Sequence, residues 1–298
     1  MPERSTGSTV PRRQLGRYLR ALRRDARLTV RAAAEQLEWS EAKMWRIETG
    51  QTSLRSLDAQ AMCRVYGAAP DITEALMGLA KETKSRGWWH SYGDVIPERF
   101  DVFIGLEEAA SRIDWYESEL VPGLLQTRAY AQKIIEEDND GDDADEITRC
   151  VNLRIARQAL LTRVTAPPAL RVVLNESVVR RPVAGSAAMA AQLRHLAEMS
   201  KLPCVYLRVA PFSAGLHRGV MTGQFGVLRF PTNGDGTETE PPTVYADGYT
   251  GDLYLDKPEE VARYDAAFED IWNRSLNEEA TRRLCLEVAE GYEREQHH

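Results

Sequence analysis

Leu28 to Gly50, LTVRAAAEQLEWSEAKMWRIETG, constrains this chain more than any other stretch, because it reads as two short helices packed around a turn. Ala33, Ala34 and Leu37, then Met44 and Ile47, fall at the three- and four-residue spacings of helices that share one small core. Thr29 and Ser40 stand just before the two runs. A hydroxyl there accepts a bond from an unpaired first-turn N–H, and Gly50 supplies a left-handed exit. With the apolar face turned inward, Glu41, Ala42, Lys43 and Arg46 are left facing outward on the second helix.

The flanking sequence extends this pattern into a five-helix unit over residues 13–85, behind an expected disordered tail over residues 1–12. From Arg13 to Arg27, Leu15, Leu19, Leu22 and Ala26 form an apolar stripe, while Arg13, Arg17, Arg20, Arg24 and Arg27 recur on a different face. Leu57, Ala61 and Val65 mark a fourth helix ended by Gly67, and Ile72, Leu76 and Leu79 a fifth after Pro70 and Asp71. Charge divides along the same line. Residues 1–66 carry 13 Lys/Arg against 7 Asp/Glu, a balance of +6, so within a total of −7 the remainder carries −13. The basic end is attracted to a phosphate polyanion by counterion release, and the acidic remainder is repelled by one.

Residues Leu28 to Gly50 resemble the helix-turn-helix of phage-repressor and Xre-like transcription regulators, through Ser40, the buried Met44, Arg46-Ile47-Glu48 and Gly50. The resemblance implies that the helix after Ser40 reads base edges in the major groove of a double-stranded DNA operator. On that basis Glu41, Ala42 and Arg46 face bases, Lys43 meets a phosphate or a base, and Thr29, Arg31 and Ser40 lie at the same surface. Arg17 and Arg24 become candidates for phosphate docking. Arg46 is the most capable reader, since its planar fork matches the two acceptors of a guanine, while Glu41 can accept from cytosine and the Ala42 methyl can touch a thymine methyl. Two positions depart from the family pattern. Val30 replaces a Gln that braces the DNA backbone, and Glu38 replaces the Gly that gives the turn its positive φ, at an expected cost of about 1 kcal/mol.

Residues 86–298 are long enough for a second, larger domain. Leu106, Ala110 and Ile113, then Ala129, Ala131 and Ile134, are spaced as helices, as are Val151, Ile155, Leu160 and Leu161 within Ile147 to Thr165. The stretch Glu136 to Glu146 holds eight acids in eleven residues and reads as a mobile surface loop. Its Asp138, Asp140 and Asp142 fail the calcium-loop template, which needs its Gly and bidentate Glu elsewhere. From Leu170 the period changes to strands: Leu170–Leu174, Cys204–Val209, Gln224–Phe230, Thr243–Ala246 and Asp252–Leu255. A helix from Ser186 to Ser200 separates the first two, Asn233 to Pro242 reads as a hairpin loop, and helices Pro258–Leu276 and Asn277–Glu293 close the chain. The expected fold is therefore a mostly α repressor-like unit followed by an α+β domain with a mixed sheet.

Gly105-Leu106-Glu107, Leu120 to Thr127, Tyr130-Ala131, Leu174-Asn175-Glu176, Gln192-Leu193, His195-Leu196, Pro211-Phe212 and Gly223 to Phe230 are similar to a large C-terminal domain found behind Xre-like helices in actinobacterial regulators. That domain is often described as of unknown function, or as Scr1-like or antitoxin-like. The resemblance implies a regulator that works with a small partner protein, and helix-turn-helix modules that read paired half-sites imply a homodimer. A small-molecule effector is compatible with it, though no residue argues for one. An antitoxin-like scaffold whose main task is binding a partner is the rival class.

The remaining motifs exclude more than they suggest. No segment is apolar enough for a membrane span, and no signal-peptide core opens the sequence, so the expected location is the cytoplasm. Cys63, Cys150, Cys204 and Cys285 lack metal spacing and read as free core thiols. His217, Cys204 and Asp247 are the one set that folding might gather into a catalytic site, but no phosphate loop, zinc motif or nucleophile elbow accompanies them. No enzyme, cofactor or metal is therefore expected. Trp88, Trp89, Trp115 and Tyr116 read as core or interface aromatics rather than a ligand cage. His297 and His298, ending the sequence, carry no assignment.

Overall fold

The computed structural model describes residues 9–83, 98–138, 143–232, 238–248 and 251–295. Five helices come first: α1 (Thr9–Asp25), α2 (Val30–Gln36), α3 (Glu41–Glu48), α4 (Ser56–Tyr66) and α5 (Pro70–Glu82). Helix α1 starts at Thr9 rather than Arg13, with Pro11 in the first turn, where its missing N–H costs no bond. The core of this unit is built from Leu15, Leu19, Ala33, Ala34, Met44, Ile47, Leu54, Met62 and Leu76. On α4 the buried stripe is Ala59, Met62, Cys63 and Tyr66, not Leu57, Ala61 and Val65. Leu57 is 72% exposed. Steps of four drift around a helix, whereas the three-four alternation keeps Met62 and Tyr66 on the core side. On α5, likewise, Leu76 and Ala80 are buried and Ile72 is exposed.

The chain divides into two units, Met1–Ala109 and Ala110–His298. Helix α6 (Glu98–Ala109), with Phe103, Ile104 and Leu106 buried, packs on α1 and is grouped with the first unit. Trp88 and Trp89 lie outside the described residues.

The second unit holds a six-stranded mixed sheet of order β3-β2-β1-β4-β5-β6. Strands β1 (Arg112–Glu117), β2 (Ala169–Asn175) and β3 (Val205–Ala210) are mutually parallel, and β4 (Phe225–Arg229), β5 (Thr243–Ala246) and β6 (Leu253–Leu255) continue the sheet antiparallel. Strand β1 corrects the expectation of a helix running through Ile113. Its sequence RIDWYE carries two acids, which hide the hydropathy of a central strand, but Asp114 is buried against Arg112 at 2.8 Å and Arg171 at 3.5 Å. A charge so paired can sit inside a sheet.

The crossovers between parallel strands supply the helices that parallel sheets require. Between β1 and β2 run α7 (Arg128–Asp138) and α8 (Ala144–Arg157), and between β2 and β3 run α9 (Glu176–Arg180) and α10 (Gly185–Met199). Most of the acidic stretch Glu136 to Glu146 is thus helix end rather than loop. Glu137 pairs with Lys133, and Asp143 caps α8 by accepting from the Asp145 N–H at 3.4 Å. Acids in a first turn also favour α8 electrostatically. Residues 139–142 lie outside the described residues, so the loop's mobility and the Asp140–Asp142 spacing have no structural counterpart. After β3 come the short α11 (Arg218–Thr222) and the closing helices α12 (Pro258–Arg274) and α13 (Glu278–Glu295). Helix α12 packs Phe268 and Ile271 against Tyr116, Val173, Phe225 and Val227 on one face of the sheet.

Candidate nucleic-acid interface

Helix α3 is held from behind and capped in front. The Thr29 Oγ1 accepts from the Ala32 N–H at 3.1 Å at the start of α2, and the Ser40 Oγ accepts from the Lys43 N–H at 3.2 Å at the start of α3. The turn between them closes with the Trp39 N–H donating to the Ala34 carbonyl at 2.9 Å, which requires a left-handed residue in the middle. That residue is Glu38, at φ 56°, so the departure from glycine leaves the turn's shape unchanged. Gly50 makes the same exit from α3 at φ 72°, and a Cβ there would stand 2.7 Å from the Arg13 backbone.

The rear of α3 is fixed by contacts to α1 that the sequence reading did not assign. Arg23 on α1, buried, donates from Nε to Glu48 Oε1 at 2.6 Å and from Nη2 to Oε2 at 2.8 Å, a two-pronged pair between α1 and the last residue of α3. Arg20 donates to the Glu48 carbonyl at 2.9 Å, and Gly16 brings α1 so close that a Cβ would lie 2.5 Å from the Ile47 carbonyl oxygen. The expected arginine stripe of α1 is therefore split. Arg13 and Arg23 are buried, Arg20 ties α3 down, Arg17 is half-buried, and Arg24 and Arg27 face solvent. The signal for Arg23 was available as an acid and an arginine near the inward faces, but only folding makes them opposite.

At the front, Met44, Ile47 and Glu48 are buried while Glu41, Ala42, Trp45 and Arg46 are exposed. Glu41 and Trp45 are one turn apart, as are Ala42 and Arg46, so the four make one outward face. Trp45, 55% exposed, is the member the sequence reading missed. Lys43 departs from expectation: it is half-buried, with Nζ 3.4 Å from the centroid of the Trp39 ring. Desolvation also lowers its pKa, so its charge leans on the protein rather than reaching outward. Arg31 is exposed on α2 and bonds Glu35 at 3.0 Å within the same helix.

The second unit does not gather His217, Cys204 and Asp247. The His217 ring meets Tyr116 edge-on at 5.9 Å, and the charges that act on it are those of Asp270 and Arg274. Among the described residues its buried Nδ1 has no hydrogen-bond partner, and burial lowers its pKa. The Cys204 thiol instead donates to the Leu161 carbonyl at 3.3 Å, and Asp247 is exposed beyond β5. Among the described residues no cluster of three or more His, Cys, Asp or Glu is arranged to hold a metal, and no helix is long and apolar enough to cross a membrane.

Comparison with known families gives two matches, one in each part of the chain. A helix-turn-helix domain model matches residues 14–76, which supports a DNA-binding regulator, and the model of a domain of unknown function, DUF5753, matches residues 100–287. Neither the curated proteins nor the solved structures give a significant match. The second model covers more than half of the chain. With α1–α5 ahead of it in a helix-turn-helix arrangement, the chain belongs to the family of the domain of unknown function DUF5753.

Proposed function

We propose that this chain is a sequence-specific, cytoplasmic transcriptional regulator that binds its operator as a homodimer, with α3 in the major groove. The observation that carries this reading is the outward face of α3: Glu41, Ala42, Trp45 and Arg46 are exposed together on a helix whose back is pinned by Arg23 and Glu48. A rigid, capped helix offering a cation, an acceptor, a methyl and an aromatic ring is suited to reading base edges. Arg24, with Arg17 two turns before it, serves the backbone. The second unit then supplies dimerisation and the contact with a partner or effector, and no catalysis is assigned to it.

The test uses an operator selected from random DNA by the intact protein. Arg46→Ala is expected to weaken binding by about 1–3 kcal/mol and to relax the preference at one base pair, with the melting temperature unchanged. Unaltered affinity and specificity would sink the assignment of α3.

One observation favours the antitoxin-like alternative, in which binding a small protein is the main task. Phe212, Leu216, Val220 and Met221 are all exposed within one short stretch after β3. Large apolar side chains grouped at a surface mark contact sites. Co-purification of a stoichiometric partner that survives loss of DNA binding would favour that reading.

A further inference from the structure

The four outward side chains of α3 follow a definite order around the helix. At about 100° per residue, Glu41, Trp45, Ala42 and Arg46 succeed one another across about 140° of its surface. The face is therefore apolar along its middle, with a carboxylate on one border and a guanidinium on the other. Lys43 adds no charge to that strip, because its Nζ is turned onto the Trp39 ring.

The fold treats the two tryptophans of this motif differently. Trp39 packs against the core of the first unit and carries the Lys43 ammonium. Trp45 is more than half exposed, and among the described residues its indole has no hydrogen-bond partner and no ring or cation against it. Its backbone, by contrast, is held at both ends of α3. The Ser40 cap fixes the first turn, and the Thr49 Oγ1 donates to the Trp45 carbonyl at 2.7 Å in the last. The ring is thus presented from a fixed position and left free for contact.

The chemistry of the strip says which part of a duplex it fits. The +6 charge on residues 1–66 draws a polyanion to this end of the chain, but an uncharged strip gains nothing from that attraction. In the major groove the apolar feature that tells base pairs apart is the C5-methyl group of thymine. A methyl and an indole can cover that group without displacing a hydrogen bond. The N4–H donor of a cytosine facing the same strip is left without an acceptor, which costs binding.

We infer that Trp45 selects thymine in the operator, its ring lying against the C5-methyl group of a T·A pair and Ala42 widening the same apolar contact. Arg46, on the border of the strip, leaves this contact undisturbed and takes a neighbouring base pair. The inference rests on the reading of α3 as the helix in the major groove, and adds to that reading one residue and the base it selects.

The experiment uses the full chain and an operator selected from random synthetic DNA, in which thymine is the one base with a C5-methyl. Each thymine of a half-site is replaced in turn by uracil, which removes the methyl and leaves the pairing groups alone. One replacement is expected to weaken binding about fourfold, the effect of one buried methyl. Trp45→Ala is expected to weaken binding to the thymine operator about tenfold, to bind the thymine and uracil operators alike, and to melt at the same temperature. Trp45→Phe keeps an apolar ring without the N–H, and is expected to retain the preference for thymine. Arg46→Ala serves as the control for α3 itself. If it weakens binding while every uracil replacement is neutral, or is as harmful to Trp45→Ala as to the parent, this inference is overturned and the reading of α3 stands. If Arg46→Ala has no effect, both fall. Equal losses in Trp45→Phe and Trp45→Ala, with uracil tolerated, assign the indole N–H to a phosphate and overturn the inference as well.

Discussion

Glu48 is the single side chain on which the presentation of α3 depends most. Its carboxylate is buried and gripped by Arg23 through two short bonds, so Glu48→Ala leaves a buried guanidinium without its counter-charge. The expected loss is about 3–5 kcal/mol, read as a fall in the denaturation midpoint, while an Arg23→Met, Glu48→Leu double variant recovers most of it because two apolar groups need no partner. Glu38 gives the opposite prediction. At φ 56° it occupies a conformation that L residues adopt at a cost, so Glu38→Gly should raise stability by up to about 1 kcal/mol, measured by thermal or urea unfolding. At this scale the sequence revealed the caps Thr29 and Ser40, the exit at Gly50 and the irregularity at Glu38, because each is a local rule about a few consecutive residues. It did not reveal Arg23, Gly16 or the sequestration of Lys43 by Trp39, because each depends on what a neighbouring element brings opposite.

Among elements, α1, α2 and α3 were readable because an amphipathic stripe and a cap leave little choice. Strand β1 was not: its burial comes from flanking β2 and β4 and from arginines that neutralise Asp114, none of which the hexapeptide RIDWYE contains. The same strand carries a pH-dependent contribution. The Glu117 pKa is raised by burial from 4.5 to about 8, with Asp247 and Glu119 adding to it, so the folded state holds the proton more tightly than the unfolded chain. That contribution is complete below about pH 4.5 and is lost as pH rises through about 8, at a slope of at most about 1.4 kcal/mol per pH unit. Urea unfolding between these limits should therefore show stability falling with pH, and Glu117→Gln should flatten the fall. An unchanged slope in the variant would mean that Glu117 is not the group responsible.

For the whole molecule, the asymmetry of charge sets the expected behaviour on DNA. With +6 on residues 1–66 and −13 on the remainder, affinity for an operator should fall steeply with added salt, and Arg24→Ala should reduce the logarithmic salt slope by about 1 per protomer while leaving base preference alone. Sedimentation of the complex is expected to give two chains per operator, as paired half-sites about 34 Å apart require.

The order of the helices, their caps, the polarity of charge and the switch from helical to strand periods near Leu170 follow from the sequence by itself, since each is a matter of short-range spacing and composition. Which face of α4 is buried, that Ile113 belongs to a central strand, that Arg20 and Arg23 turn inward, and that Arg112 and Arg171 flank the buried Asp114 were decided by tertiary structure. Burial and charge pairing are properties of surfaces brought together from distant parts of the chain, and no window of neighbouring residues contains them.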